Sequence, residues 1–542
     1  MPPEKSETEN RPDVDLPILN ISELSRAQID AVEVPPDVQA KLKPWEKVVY
    51  VGHPEVKWPS RSPSAMKELM KLTGVKQLSQ IGSEGHPSVA SLASEANSQL
   101  EAMTKYQALH SRDALRVAMD LHLEYPNLLA STIVSLAEKQ GVVDEQYVPG
   151  QPLRQEEIGR IMLLDRPPGD KLGQKFTKEL EWGWPFYGSI DATPSYISAL
   201  ATYVLEHDEN FLYRTYDGRD GRRHTISESF FAALAWLLKK IEETSENPEG
   251  LLEFKNKTPE PGMGMLNQAW QDNASAYVHG DGSWANHQKG IAAVEVQALV
   301  YDSLLDAAQV YKRLLKNESA AARLEEQAEK LRKTVLEKFW TDEKGGYFVQ
   351  GTDRDEKGNL RQLKVRGSNM GHLLNSKFLE GDDPNIARKR EAIIRQLFSS
   401  ELLSPHGLRT LANDEVAFRE EGYHTGSVWL WVSGYVAKGL ERHGYNGLAW
   451  QLRKNIFDTV WQTGSFPEFV KGDSDTKVHL NDREIYVYDS KNQSLYLYEQ
   501  VPQEIQAWSV SVVLAMKYDH RMPKAAADPV KRQLEEELIR GK

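Results

Sequence analysis

Helical periodicity dominates this chain from about residue 106 onward, whereas strand patterns are few. Leu234, Leu237 and Ile241, for example, recur on one face of a single run. The helical runs cover residues 113–140 with a break at 125–127, 193–206, 227–243, 294–315, 320–339, 386–398, 425–443, 448–462 and 505–518, and the best strand patterns are 347–349 and 484–488. About a dozen helices predict an all-α fold, for which a toroid of helix pairs fits. An α-solenoid fits as well, although no repeat of fixed length is visible.

The composition of the chain limits the kinds of ligand that it is expected to bind. The chain has 542 residues, 40% of them hydrophobic, and a formal net charge of −13. This acidity argues against nucleic acid and anionic membranes as partners and leaves neutral ligands favoured. Because the chain has no cysteine, disulfides, thiol nucleophiles and cysteine-bound metals are excluded.

The sequence divides into three regions. Residues 1–105 predict an N-terminal extension, an irregular arm followed by short helical patterns, since prolines interrupt its first 60 residues. Residues 106–520 predict the main domain, and residues 521–542 a charged helical tail. No secretory signal and no long apolar run are visible, so we expect a cytoplasmic protein without a membrane span.

Two carboxylates stand out. Asp272 closes the segment Asn267–Asp272, which contains Trp270, and Glu468 lies between Pro467 and Phe469. Two carboxylates on opposite sides of a sugar-sized cleft are the minimum requirement for breaking a glycosidic bond. Because they lie far apart along the chain, only a closed fold can bring them together.

Several other segments place an aromatic ring near an amide, imidazole or carboxyl group. Sugars offer apolar C–H faces to rings and hydroxyl edges to polar groups, so this pattern predicts a neutral carbohydrate substrate. The segments are 110–114, 181–194, 267–282, 294–297, 368–372, 424–431, 464–468 and 506–508.

These segments resemble, in the same order, motifs of the amylo-α-1,6-glucosidase family, the glucosidase half of glycogen debranching enzymes. Residues 187–194 resemble its Tyr-Gly-Asp-Ala-Thr-Pro signature, and residues 111–113 its Arg-Asp-Ser segment, with Ala114 in place of the serine. Residues 267–272 resemble the general-acid segment, 423–429 its Tyr-His-Asn-Gly-Ser-Val-Trp run and 467–469 its general-base segment; 291–297 and 368–374 are similarly close. The β-sandwich and transferase domains of some members have no evident counterpart.

The resemblance implies an (α/α)6 toroid of the six-hairpin glycosidase-like type and an inverting reaction. Asp272 would be the general acid and Glu468 the general base, with their carboxyl groups about 6.5–9.5 Å apart to admit a water molecule. It implies neither cofactor nor metal. The residues expected to hold the sugar are Asp113, Trp184, Tyr187, Asp191, Trp270, His424, Trp429 and Gln506.

Simpler interpretations exist for some of these residues. Asp113 and Asp191 are also placed to cap helices, and His424 and His372 fit a hydrogen-bonded scaffold better than metal ligands. Residues 353–358 faintly resemble a calcium loop but fit a solvated hairpin turn far better.

Alternatives to the debranching-type glucosidase remain. The substrate could be a small α-glucoside or α-mannoside, such as a glucosylglycerate-type solute, or sucrose. A non-catalytic carbohydrate-binding toroid is also consistent with the aromatic residues. The loops at Asn210–Gly221 and Asp473–Gln493 are expected to discriminate, since a closed pocket favours a small substrate and an open groove a polymer end. The sequence does not indicate an oligomeric state.

Overall fold

The computed structural model describes residues 34, 36–52, 91–92, 108–166, 168–255, 265–491, 494–503, 505–516, 521–524, 526 and 528–540. Most of the predicted N-terminal extension lies outside these residues. Within them, α-helices make up the body of the protein, and the strands are short additions.

The helices follow one another in pairs. They are α1 (Pro36–Gln39), α2 (Ser111–Leu121), α3 (Pro126–Ala137), α4 (Lys171–Leu180), α5 (Ala192–Glu206), α6 (Ile226–Lys240), α7 (Val294–Arg313), α8 (Glu318–Lys338), α9 (Asn369–Asn375), α10 (Pro384–Leu397), α11 (Leu430–Arg442), α12 (Asn446–Thr463), α13 (Ala507–Ala515) and α14 (Pro529–Arg540). Short 3-10 helices lie at Glu209–Tyr213, Glu343–Gly345 and Lys377–Leu379.

Six of these helices form a closed inner ring. In order around the ring they are α2, α5, α7, α9, α11 and α13, and α13 packs back against α2. Helices α3, α6, α8, α10 and α12 each pack on the outside of the inner helix that precedes them, and α14 packs against α12. The predicted all-α (α/α)6 toroid is therefore confirmed, and its closed ring excludes the open solenoid.

The ring has one continuous hydrophobic core. Ile197, Val300, Met370 and Val436, one from each of four inner helices, are fully buried within it. The amphipathic outer helices present their apolar faces to this core, as α8 does with Leu324, Leu331 and Val335 in the predicted helical run.

Most predicted helices agree with the structure to within a few residues. The run predicted from Thr425 instead starts its helix at Leu430, because Val428 forms isolated bridges with Arg409 and Val470 and keeps the preceding backbone extended. Helices α4 and α9 were not predicted. Asp170 starts α4, and its side chain accepts a hydrogen bond from the Gly173 amide.

The strands form small sheets around the toroid. They are β1 (Glu46–Gly52), β2 (Ser91–Leu92), β3 (Leu109–His110), β4 (Leu164–Asp165), β5 (Thr215–Asp217), β6 (Arg223–Thr225), β7 (Ala292–Ala293), β8 (Trp340–Thr341), β9 (Tyr347–Phe348), β10 (Gly351–Arg354), β11 (Leu360–Leu363), β12 (Leu403–Ser404), β13 (Gly407–Leu408), β14 (Glu484–Asp489), β15 (Ser494–Glu499) and β16 (Ile505–Gln506). The predicted strands at 347–349 and 484–488 correspond to β9 and β14. Of the predicted hairpin turn at 353–358, residues 355–358 lie in the turn between β10 and β11, whereas Asp353 is buried within β10.

One sheet brings distant parts of the chain together. Strand β14 pairs antiparallel with both β1 and β15, so a segment near the N-terminus is fixed beside the last third of the chain. Among the described residues, no helix has the length and apolar composition needed to cross a membrane.

The predicted C-terminal tail contributes α14 to the ring of outer helices. The Glu535 carboxylate, which is buried, accepts a hydrogen bond of 2.6 Å from the Gly447 amide at the start of α12. The charged face of α14 remains toward solvent, as its amphipathic sequence predicts.

Candidate active site

The inner helices all begin at the same end of the toroid, where the candidate residues gather. Asp113 lies in the first turn of α2 and Asp191 immediately precedes α5. Trp429 and Gln506 immediately precede α11 and α13. Helix N-termini carry partial positive charge, so their convergence creates a region that favours carboxylates.

Most inner helices lack a side-chain cap at this end. Neither His110 before α2, Asp191 before α5 nor Ala293 before α7 makes a capping hydrogen bond. The outer helix α6, by contrast, has a full capping box between Thr225 and Glu228. Asp191 therefore occupies a capping position without capping, which leaves its carboxylate for other contacts.

Glu468 lies on a loop and is completely buried. Its Oε1 accepts a hydrogen bond of 2.8 Å from the Tyr423 hydroxyl, and its Oε2 one of 3.0 Å from the Gln503 amide. The Glu468 amide in turn donates to the Gln503 carbonyl at 2.9 Å. These contacts fix the plane of the Glu468 carboxylate.

Asp272 is more accessible than Glu468. Its side chain is 28% exposed, and its Oδ2 lies 3.4 Å from Nη1 of Arg112. The Nε of Arg112 donates to Asp191 at 2.8 Å, and the Ser189 hydroxyl donates to the other Asp191 oxygen at 2.5 Å. Since a cation favours the charged form of a neighbouring acid, the closer pairing with Asp191 reduces the effect of Arg112 on Asp272.

Asp113 connects the two predicted catalytic carboxylates. Burial raises the pKa of Asp113 to about 7; Arg112 opposes this shift, whereas the negative charges of Asp272 and Glu468 add to it. Contacts also connect the two segments directly: the Asn273 amide, next to Asp272, lies 3.4 Å from Nδ1 of His424, and the neighbouring Tyr423 donates to Glu468. Asp272 and Glu468 are therefore brought to one region from distant parts of the sequence.

A cluster of aromatic rings fills the space around these carboxylates. The Trp270 ring centroid lies 5.3 Å from that of His424, 5.8 Å from that of Trp429 and 5.0 Å from that of Trp431. The Asn273 amide, directly after Asp272, lies 3.4 Å from Nδ1 of His424. Trp270, His424 and Trp429 thus lie together between the two catalytic candidates, as predicted segments of one site.

The aromatic cluster also extends to Glu468. Tyr423, which donates to Glu468, has its ring 5.0 Å from that of Trp429 and 4.3 Å from that of His424. Trp508, just after Gln506, lies 5.5 Å from Trp429. These ring contacts hold the segments of Asp272 and Glu468 in fixed relative positions.

Gln506 is completely buried beside this cluster. Its Oε1 accepts a hydrogen bond of 2.5 Å from the Ala507 amide, and its Nε2 has no hydrogen-bond partner among the described residues. A buried amide group without a partner is costly, so a ligand hydroxyl that accepted this hydrogen bond would gain affinity.

Trp184 and Tyr187 lie in different surroundings. Trp184 packs near Trp182, and its Nε1 donates to the Thr177 hydroxyl at 2.9 Å. The buried Tyr187 donates to the Lys139 carbonyl at 2.6 Å and accepts from Arg219 at 2.5 Å. Among the described residues, none of these contacts joins either side chain to Asp272 or Glu468, and their roles in sugar binding stay predictions.

Sequence reasoning missed three residues that contact the predicted set. Arg112 and Tyr423 lie inside the family-like segments, but only their tertiary contacts with Asp272 and Glu468 separate them from neighbouring residues. Gln503 acts through its backbone, so its side-chain identity gives no signal.

Glu295 is a further buried carboxyl group at this end, in the first turn of α7. It accepts a hydrogen bond of 2.7 Å from the Tyr277 hydroxyl. Burial raises the pKa of Glu295 to about 7, which the hydrogen bond from Tyr277 partly offsets. The site end of the ring therefore holds several carboxyl groups at different degrees of solvation, the arrangement in which acid and base roles separate.

A closed toroid of helix pairs with paired carboxylates and aromatic rings at one end defines a glycoside hydrolase. The family model described as the mannosylglycerate hydrolase MGH1-like glycoside hydrolase domain matches residues 206–481, just over half of the chain. The protein belongs to this family. Asp272, His424, Trp429 and Glu468 lie inside the matched region.

The chain is also similar to solved structures, of which the first named here shares its fold. Mannosylglycerate hydrolase from Thermus thermophilus, in complex with Tris and D-glycerate, has a TM-score of 0.52 at 13% identity, covering 84% of this chain and 99% of that one. The same enzyme with glucose gives 0.49 at 13% identity, covering 77% and 94%. A bacterial glucoamylase with acarbose gives 0.48 at 13% identity, covering 84% and 56%. No curated protein sequence matches this chain.

Proposed function

We propose that this protein is an inverting hydrolase of a small α-glycoside, with Asp272 as general acid and Glu468 as general base. The supporting observation is that the two carboxylates are joined by a short series of contacts: the Asn273 amide beside Asp272 lies 3.4 Å from His424, whose ring lies 4.3 Å from that of Tyr423, the donor to Glu468. Membership of the MGH1-like family supports hydrolysis of a glycosidic bond as the reaction class.

The proposed reaction is a single displacement. Asp272 donates its proton to the glycosidic oxygen as the bond from that oxygen to the anomeric carbon breaks. Glu468 accepts a proton from a water molecule, whose oxygen attacks the anomeric carbon from the opposite face. Asp272 ends ionised, Glu468 ends protonated, and the configuration at the anomeric carbon is reversed.

The difference in burial between the two groups fits their proposed roles. Glu468 is wholly buried and held by Tyr423 and Gln503, as suits a base that positions one water molecule. Asp272 is partly exposed, so it can meet a leaving group that departs toward solvent. We assign Trp270, Trp429 and Gln506 to the sugar ring.

A small substrate is favoured by the coverage of this end of the toroid. The side chain of Asn273, next to Asp272, donates a hydrogen bond of 2.8 Å to the Leu497 carbonyl in β15. The sheet β1–β14–β15 therefore lies beside the acid. Trp429, His424 and Asp113 are each at most 5% exposed, a degree of enclosure that suits a small glycoside better than a polymer end.

The loop at residues 210–221, which the sequence predicts to discriminate between substrates, is held in place by one arginine. Within it, Arg219 is anchored by Glu156 at 2.7 Å and by Tyr187 at 2.5 Å. The debranching-type interpretation, in which an α-1,6 branch stub is cleaved, needs an open groove instead. Small α-glucosides and α-mannosides are therefore the first substrates to test for the identity of the sugar and the aglycone.

Proton NMR of the anomeric signals tests the proposal. Purified enzyme is given α-glucosides and α-mannosides with small polar aglycones, sucrose and a branched limit dextrin. Early appearance of the β-anomer from a small α-glycoside, with the dextrin untouched, is expected. An α-anomer as first product would refute inversion, and faster cleavage of the dextrin would refute the small substrate.

Two variants connect the reaction to the residues. Asp272→Asn and Glu468→Gln are each expected to lower kcat by at least about a hundredfold, the lower range for lost acid–base catalysis. Asp302→Asn is the matched control. Asp302 lies in the middle of the inner helix α7, and its carboxylate accepts a hydrogen bond from the Ser376 hydroxyl. Full activity of either catalytic variant would exclude its assigned role.

A further inference from the structure

The opposite end of the toroid carries a second group of chemically active side chains. His122 directly follows α2, and Glu206 and His207 end α5. One ligand atom from each of the three lies within 4.8 Å of both others. Among the described residues this is the one grouping of histidines and acidic side chains with the spacing of a metal site.

The distances are near those that a tetrahedral ion requires. Nδ1 of His122 lies 3.1 Å from Nε2 of His207, where the two rings are hydrogen-bonded, and 3.8 Å from Oε2 of Glu206. Ligand bonds to zinc are about 2.0–2.2 Å long, so two ligands of a tetrahedral zinc are about 3.3–3.6 Å apart. Small side-chain rotations would bring all three atoms onto one ion.

The electrostatic surroundings also suit a cation. Two neighbouring inner helices end here, and helix C-termini carry partial negative charge. The nearby Lys438 is paired with Asp120 at 2.7 Å, which offsets its positive charge.

We propose that His122, Glu206 and His207 form a divalent transition-metal site of the zinc class, with water as the fourth ligand. Bound metal would connect the C-terminal ends of α2 and α5 and stabilise the ring where these helices meet. Because Asp113 and Asp191 lie at the other ends of the same helices, about 14 Å and about 24 Å away by helical rise, the metal takes no part in glycoside hydrolysis.

Cobalt(II) is the most direct probe, because tetrahedral coordination gives intense visible absorption bands. Untagged full-length protein is titrated with Co²⁺ and then with Zn²⁺ as competitor, and thermal unfolding is followed with and without Zn²⁺. We expect one ion per chain, tetrahedral bands that zinc displaces, and a higher Tm with zinc.

Variants assign the ligands. His122→Gln and His207→Gln are each expected to abolish the bands, and Glu206→Gln to weaken affinity by about tenfold or more. Glu206 is 53% exposed, so its variant should fold normally. His224→Gln is the control, since His224 pairs with Asp220 outside this cluster.

Two results would overturn the proposal. One is the absence of saturable one-to-one binding of either metal to the wild-type protein. The other is binding that all three ligand variants retain. Chelation of the metal should lower Tm while turnover of a glycoside stays unchanged at a temperature below unfolding.

Discussion

The Tyr423 hydroxyl donates a hydrogen bond of 2.8 Å to the Glu468 carboxylate, and both side chains are buried. The bond stabilises the ionised carboxylate and fixes the oxygen that faces it. Because Tyr423 also contacts His424 and Trp429, it couples the proposed base to the aromatic cluster.

Tyr423→Phe removes this hydrogen bond while keeping the ring. A hydrogen bond to a charged group contributes about 1.5–3 kcal/mol, which corresponds to about a 10- to 100-fold loss of kcat if it is made at the transition state. Steady-state kinetics should show this loss with little change in KM. Tyr196→Phe is the control, since its hydroxyl bonds Ser229 elsewhere in the core. Equal kcat in both variants would exclude a role for Tyr423.

Asp191→Asn is expected to alter the pH dependence of the reaction. With Asp191 neutral, the charge of Arg112 acts more strongly on Asp272 and favours its ionised form. Asp272, the proposed general acid, then loses its proton at lower pH. The basic limb of the kcat/KM profile should therefore move to lower pH. A profile with an unchanged basic limb would show that Arg112 does not influence Asp272.

Asp113 and Asp302 should contribute progressively less to the stability of the folded protein as pH rises from about 4 to about 7. Burial raises the pKa of Asp113 and Asp302 from 3.8 to about 7. In this interval the folded state holds protons on these two groups that the unfolded state has released, so their contribution to the free energy of unfolding falls with pH. His287, His372 and His443, whose pKa burial lowers, contribute in the opposite direction below pH 6.5. Below pH 3.8 neither aspartate contributes to the slope, and above about 7 the loss is complete.

Urea titrations across this pH range measure the effect. Relative to wild type, Asp113→Asn should make the slope of the free energy of unfolding against pH more positive between about pH 4 and 7, and should raise the unfolding midpoint at about pH 8. The exposed Asp382→Asn should leave the slope unchanged. A slope in Asp113→Asn equal to that of the wild type would contradict the raised pKa.

Gln506→Met should separate binding from stability. The substitution removes the buried Nε2 that lacks a partner and also the bond to the Ala507 amide. These losses have opposite effects on stability, each about 1 kcal/mol, so Tm should change by only a few degrees. KM should rise by about tenfold if Nε2 donates to a sugar hydroxyl; an unchanged KM would refute that contact.

Gly439 permits the close approach of α11 to α9. A Cβ atom at this position would lie 2.5 Å from the Asn375 amide nitrogen and from the Leu374 carbonyl carbon. Since both are backbone atoms, Gly439→Ala should destabilise the ring by about 1–3 kcal/mol. Gly280→Ala, whose nearest contact is 3.3 Å, should be milder. Thermal unfolding compares the two, and equal Tm values would contradict this packing.

The family-like segments predicted from the sequence vary in how directly the structure relates them. Asp113, Trp270, His424 and Trp429 lie with the two carboxylates, as shown by ring contacts and shared electrostatics. Trp184 and Tyr187 have the same sequence signal, but their hydrogen bonds run to Thr177, Lys139 and Arg219. A sequence motif predicts that its residues lie near the site, whereas the direction of each side chain depends on tertiary packing.

The pairing of the N-terminal strand β1 is a second feature that could not be predicted from the sequence. Its pairing with β14 joins residues more than 400 positions apart, and no local pattern specifies such a partner. The same holds for Arg112, whose contacts with Asp191 and Asp272 depend on how the ring closes. Such contacts follow from the geometry of the whole ring.

The sequence by itself determined most of the helices, the all-α class and the segments that carry the catalytic candidates, because helical periodicity and local motifs are properties of neighbouring residues. The tertiary structure decided that α13 closes on α2, that Tyr423 holds Glu468, and that His122 meets His207 at the far end. These relationships depend on long-range packing of complementary surfaces, which no short stretch of sequence encodes.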